Sequence, residues 1–137
     1  MTASAWIMHP HHEMVLLTHH RKLDKWLQLG GHADGCTNLL HVALQEASEE
    51  SGIRHFDLLM TDIFDIDIHA IPARNNEPEH FHYDVRFLLR AHGEHYRVSE
   101  ESHDLAWVSL ESMRAYTNEL SMLRMGDKCQ RILRVSR

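Results

Sequence analysis

Three carboxylates stand at the spacing that a helix turns into one face: Glu46, Glu49 and Glu50. Positions i, i+3 and i+4 are neighbours on a helix surface, and like charges there repel by about 0.2–0.5 kcal/mol per pair. A divalent cation removes that repulsion and gains hard oxygen ligands, the donor type that suits Mg²⁺ or Mn²⁺. Such an ion bridges phosphate oxygens and generates a nucleophile from water. Taken alone, the three residues read more readily as the solvated face of an acidic helix.

The surroundings favour chemistry. Gly30-Gly31-His32-Ala33-Asp34 is a glycine turn before the helix, and Gly52-Ile53 is a stop after it. Thr37 or Asn38 is placed to cap the start. Leu39, Leu40, Ala43, Leu44 and Ala47 form an apolar stripe. The small alanines let the helix approach a sheet, and the glutamates lie beside the stripe.

A second constellation lies on the strongest strand expected, 81–90. His80, His82, Asp84 and Arg86 alternate with Phe81, Tyr83, Val85 and Phe87, so each set shares a face. The polar set reads as a substrate wall, with Arg86 holding phosphate through its fork. A zinc site and a plain surface are the alternatives. Glu100, Glu101 and Asp104 precede a strand over 105–108, and Glu101 is a candidate further ligand or base. Of the 14 histidines, His9, His11, His12, His19 and His20 fall in turns and read as solvated.

Residues 31–53 resemble the Nudix box, the signature of enzymes that hydrolyse a nucleoside diphosphate linked to another group. Gly31, Glu46, Ala47, Glu49, Glu50, Gly52 and Ile53 match it. Thr37 stands where the family has Glu, and Gln45 where it has Arg; Asp34 keeps an acid in the opening turn. Trp26 to His32, His80 to Phe87 and Glu101 to Val108 also resemble stretches of one Nudix subgroup. The resemblance implies an α/β fold, a Nudix-type α/β/α sandwich with a mixed sheet. It implies a metal-dependent hydrolase cleaving a pyrophosphate bond in a nucleoside diphosphate derivative or nucleoside triphosphate. Glu46, Glu49, Glu50 and the Gly30 carbonyl would hold Mg²⁺ or Mn²⁺. One of the glutamates, or Glu101, would act as base, and His82, Asp84 and Arg86 would bind substrate. The two neutral positions motivate a rival, a catalytically weak domain that binds a nucleotide as a sensor. They also predict that Thr37→Glu and Gln45→Arg act together. A Nudix-fold isoprenyl diphosphate isomerase would need a catalytic cysteine outside the box, and none is well placed.

Length and composition bound the rest. The 137 residues suit a single domain over 1–137, with 43% hydrophobic and 25% charged residues. A formal charge of −6 argues against a nucleic-acid scaffold. No run is long and apolar enough for a membrane span, and no secretory leader is read at the N-terminus. Cys36 and Cys129 are too few for a disulfide framework and suit a reducing, cytoplasmic setting. The expected partner is a small-molecule nucleotide; a homodimer is compatible with the sequence. The expected elements are a hairpin over 4–18, a strand at 26–29, the box helix, a strand over 56–68, a loop at 72–78, and helices from 109 and over 117–135 anchored by Leu120, Leu123, Ile132 and Leu133.

Overall fold

A computed structural model describes residues 1–73 and 75–135. The strands are β1 (Thr2–Met8), β2 (Met14–His20), β3 (Lys25–Leu27), β4 (Leu29–His32), β5 (Phe56–Leu58), β6 (Asp65–Ile71), β7 (His80–Ala91) and β8 (Ser102–Ser109). Helix α1 spans Leu39–Ser51, a 3₁₀ helix Leu110–Ala115, and α2 Leu120–Val135. The strands form one mixed sheet with a helix on each face, the α/β arrangement expected.

β1 organises the sheet. It runs parallel to β7 along its whole length, from Thr2 beside Asp84 to Met8 beside Arg90. Its other edge carries β4 over Thr2–Ala5. The expected hairpin therefore barely forms: β1 meets β2 only at Met8 and Val15. β2 instead pairs β8 from Met14 to His20, and β3 at its far end. The strand expected at 26–29 accordingly splits at Gln28, its first half on β2 and its second on β1. The two groups of strands diverge there.

Alternation along β1 sends Ala3, Ala5 and Ile7 to one face and Trp6 and Met8 to the other. The first set packs under α1, where Ala43 and Ala47 are fully buried, as their small size suggested. The cap of α1 is Asn38, whose Oδ1 accepts from the His41 N–H at 3.1 Å. Its stop is Gly52, at φ +77°, whose N–H donates to Ser48 O at 2.8 Å. On the opposite face, α2 buries Met122, Met125 and Cys129 against Trp6, Met8 and Leu17. These, rather than Leu120, anchor it: Leu120 is 81% exposed, while Leu123, Ile132 and Leu133 only flank the cluster. Gly126 does not break the helix. It is buried, and a Cβ there would lie 2.7 Å from Met113 Sδ, so the glycine admits the 3₁₀ helix.

The single strand expected over 56–68 is two, β5 and β6, both on β7. The alternation over β6 is real, but its burial is reversed. Ile66 and Ile68 are 48% and 56% exposed, and Asp65 is 7% exposed. Cations turn the acid inward: Asp65 Oδ2 accepts from Arg124 Nη2 at 2.7 Å and from Arg86 Nη1 at 3.2 Å, with Lys128 3.7 Å from Oδ1. Of the loop expected at 72–78, position 74 lies outside the described residues.

Candidate active site

The divergence at Gln28 opens a cleft of about 1050 Å³. Its walls include Gly30, Gly31, Glu46, Glu101, His20 at the end of β2 and Arg21 and Lys22 of the β2–β3 turn, together with Ser4, Gln28, His32, His69, His82 and Asp84. The Nudix-like helix thus edges the cleft, and a wall of histidines faces it from β4, β6 and β7.

Glu50 is the deepest of the three box glutamates, 4% exposed. Its Oε2 accepts the Gly30 N–H at 2.9 Å. Burial, and then the charges of Glu101 and Glu46, push its carboxyl up to about 8; the Gly30 bond opposes the shift. Glu46 is also raised, by burial first and then by Glu49, Glu101 and Asp34, against a lowering by His32. Gly31 is shaped to this carboxylate: a Cβ there would lie 2.6 Å from Glu46 Cδ. Glu101 reaches the group from the far strands, and its charge bears on both Glu50 and Glu46. The Arg21 N–H donates to the Glu101 carbonyl at 3.0 Å, which ties this loop to the β2–β3 turn. Three acids from two distant segments, Glu46, Glu50 and Glu101, therefore lie within electrostatic reach of one another.

Glu49 differs from its partners. It is exposed and accepts from Gln45 Nε2 at 3.1 Å. Its part is the negative charge it adds at Glu46. Thr37 is exposed in the loop before α1; its groove, with Met1, Cys36 and Leu39, adjoins the cleft through His32 and Asp34. Asp34, at φ +50°, does line the cleft.

The strand face also divides. His82 and Asp84 border the cleft, but Arg86 does not. Arg86 is 4% exposed; its Nε donates to Asp84 Oδ2 at 2.8 Å and its Nη1 to Asp65. A guanidinium committed to two buried acids cannot also present its fork to a phosphate. The expectation of a phosphate contact at Arg86 is corrected to a structural role, joining β6, β7 and α2. His80 is exposed and bonds the Pro78 carbonyl. His9, expected in solvent, is buried: its Nδ1 accepts from the His11 and His12 N–H groups, and its Nε2 pairs with Glu94 at 2.7 Å. It holds the β1–β2 turn. Gln28, Arg21 and His69 were not legible as site residues, because only the splayed strands bring them to the cleft.

The donor set accords with a hard divalent cation. The acids are oxygen donors, Glu101 helps to raise the carboxyls of both Glu46 and Glu50, and no Lys or Arg pairs with Glu46, Glu50 or Glu101 among the described residues. Also among the described residues, no three His, Cys, Asp or Glu side chains already converge as a finished ligand sphere. The zinc alternative therefore has no preformed site, and a cation at the acids would have to draw them together.

The sequence matches no family model and no curated protein. Solved structures do match. An Ap4A hydrolase from C. elegans, in a binary complex, superposes with TM-score 0.75 at 17% identity, over 97% of this chain and 98% of that one. A NUDIX-family hydrolase from Clostridium perfringens gives 0.71 at 23% identity, over 96% of each chain. The chain has the Nudix fold. The dihydroneopterin triphosphate pyrophosphohydrolase of E. coli shares it, with TM-score 0.71 and 15% identity over 93% of this chain and 92% of that. At such identities the Nudix fold is common to these chains while most side chains differ, so the chemistry rests on the acids themselves.

Proposed function

We propose that this chain is a metal-dependent Nudix hydrolase that cleaves a pyrophosphate bond in a nucleoside diphosphate derivative or a nucleoside triphosphate. The observation that carries the reading is that Glu46 and Glu101 line the cleft with Glu50 buried beside them, and that no Lys or Arg pairs with these three acids among the described residues. Mg²⁺ or Mn²⁺ would be held by Glu46 and Glu50, with Glu49 and the Gly30 carbonyl in reach of the same helix edge. Bound there, the metal supplies charge neutralisation and an activated water. The chain's own groups do the rest. Gly30 fixes the orientation of the Glu50 carboxylate through its N–H. Glu101, exposed and beside Glu50, is placed to take a proton from the attacking water. Arg21 and Lys22 give the cleft two cations for phosphate oxygens.

The fold neighbours support the reading by their substrates: an Ap4A hydrolase and a dihydroneopterin triphosphate pyrophosphohydrolase share the architecture. A second reading is a nucleotide-binding module with weak turnover. The neutral Gln45, tied to Glu49 and not to the deep acids, favours it, and the NUDIX domain of Shewanella oneidensis NrtR was crystallised with ADP ribose. Formation of nucleoside monophosphate from a panel of nucleoside diphosphate derivatives and triphosphates, with Mg²⁺, Mn²⁺ or EDTA, separates the two. Metal-dependent turnover lost in Glu50→Gln supports the hydrolase. Tight binding with no turnover supports the module.

A further inference from the structure

One edge of the sheet is open over the seven residues of β6. β6 pairs β7 on one side, and among the described residues no strand pairs its other side. Such an edge leaves a row of backbone N–H and C=O groups ready to bond another strand. Proteins commonly blunt it with lysine or proline. β6 reads Asp65-Ile66-Asp67-Ile68-His69-Ala70-Ile71 and holds neither. Its buried acid, Asp65, is drawn inward by Arg86 and Arg124 and does not guard the edge.

The same strand borders an apolar patch. Ile66, Ile68 and Ala70 stand opposite Val85, Tyr83 and Phe81 of β7, so the six share a face. Helix α1 covers this face at Val85, which is 5% exposed, and stops short of Tyr83 and Phe81, which are 41% and 63% exposed. An aromatic side chain carries about 150–250 Å², so Ile66, Ile68, Tyr83 and Phe81 leave roughly 400 Å² of apolar surface in one connected area. Apolar residues scattered singly need no partner, but a connected area of this size is commonly a contact surface. Two copies of it come to roughly 800 Å², before strand edges and polar side chains are added, against about 1,200–2,000 Å² for a stable interface.

We infer that β6 is a homodimer interface, in which its free edge pairs antiparallel with β6 of a second copy about Ile68. Charge selects both the partner and the register. With Ile68 opposite the partner's Ile68, Asp67 stands opposite the partner's His69, and His69 opposite the partner's Asp67. Ile66 then meets the partner's Ala70 on the apolar face. Asp67 and His69 already lie 3.3 Å apart within one copy, on the face away from Ile66 and Ile68. The pair of strands therefore sets acids and imidazoles in alternation. A register centred on Asp67 opposes that acid to itself, and one centred on His69 opposes the imidazoles. A two-fold contact of this kind uses one patch twice and closes, so it gives a dimer rather than a fibre. His69 and Ile71 also line the cleft, so each cleft opens beside the interface. The inference is independent of the chemistry in that cleft.

Sedimentation at protein concentrations of about 1–100 μM reads the association directly. Wild type should sediment as a dimer that dissociates on dilution. Ile68→Lys opposes two cations at the centre of the pair and should be monomeric over the whole range. Its melting curve in the dilute, monomeric limit should match wild type, because Ile68 is 56% exposed. His69→Asp sets four acids together and should weaken the dimer about tenfold or more. Cross-linking separates edge pairing from face-to-face packing of the same patch. Residues directly opposite in an antiparallel pair have Cα atoms about 4.5–5.5 Å apart, within disulfide reach. On a Cys36→Ser background, Ile68→Cys should therefore form a disulfide dimer with copper–phenanthroline. Phe81→Cys, one strand in from the edge, should not. A wild type that is monomeric at the top of the concentration range overturns the proposal. So does an Ile68→Lys variant that still dimerises, or a disulfide at Phe81→Cys with none at Ile68→Cys.

Discussion

The Gly30 N–H donates to Glu50 Oε2 at 2.9 Å, and so joins the glycine turn to the deepest acid of the helix twenty residues later. The bond lowers the pKa of a carboxyl that burial and two neighbouring acids push up to about 8. It is the one feature, among those described, that favours the charged form of Glu50. Turn and helix therefore act as one unit, and the two glycines of the turn have separate tasks.

Those tasks predict opposite phenotypes. A Cβ at Gly31 would meet the end of the Glu46 side chain at 2.6 Å, and this can swing away. Gly31→Ala should keep its melting temperature within a few degrees and lose about tenfold or more in kcat/KM, because Glu46 is displaced. A Cβ at Gly30 would meet Ser4 Cβ at 2.4 Å and the Ala3 carbonyl at 2.7 Å, where β4 pairs β1. Gly30→Ala should cost about 1–3 kcal/mol of stability. Thermal melts and kinetics on both variants check the contrast; equal destabilisation would remove the distinction.

The raised carboxyl of Glu50 sets a pH dependence. Its folded pKa, about 8, lies above the ordinary value of 4.5, so folding favours the protonated form. That contribution is fully present below about pH 4.5 and is lost as pH rises through 8. In EDTA the melting temperature should fall from pH 5 to pH 8.5, and Glu50→Gln should flatten the decline. Saturating Mg²⁺ should flatten it too, because the cation then balances the ionised acid. Melts at four pH values, with and without Mg²⁺, test the sign. A rise with pH in EDTA would refute the assignment.

How much was legible follows from which forces are local. The cap at Asn38, the stop at Gly52 and the small face of α1 depend on neighbours in sequence, and they stand where the pattern put them. Glu101 was also anticipated, through resemblance to a family loop. The reversed burial of β6 was not legible, because the acids turn inward only where Arg86 and Arg124 arrive from β7 and α2. Gln28 carried no local mark either; its place depends on a strand dividing between two partners.

Arg86 supplies the third prediction. Its guanidinium holds Asp84 at 2.8 Å and Asp65 at 3.2 Å, all three residues being buried. Arg86→Ala would leave Asp84 without its cation, and breaking a buried pair in this way costs about 3–5 kcal/mol. Asp65 keeps Arg124 and Lys128, so the lower end of that range is expected. Urea denaturation should show the loss. A variant of wild-type stability with a raised KM would return Arg86 to the substrate.

The last prediction concerns the two neutral positions. Their joint absence of charge suggested that Thr37→Glu and Gln45→Arg would act together. The geometry separates them. Gln45 lies on the second turn of α1 and bonds Glu49, while Thr37 lies in the loop before the helix, outside the lining of the cleft. From the Asn38 cap to Gln45 are seven residues at about 1.5 Å rise each, roughly 10 Å along the axis, and Thr37 precedes the cap. At that distance effects add to within about 0.5 kcal/mol. Gln45→Arg should draw its charge to Glu49, its present partner four residues on. This would lower the field at Glu46, which Glu49 helps to raise, and so make Glu46 easier to ionise. The double-mutant cycle on kcat/KM should therefore be additive, with the effect carried by position 45 and a shift of the acidic limb of its pH profile to lower pH. A strong coupling would mean that Thr37→Glu reaches the acids after all, through the glycine turn that Asp34 now occupies.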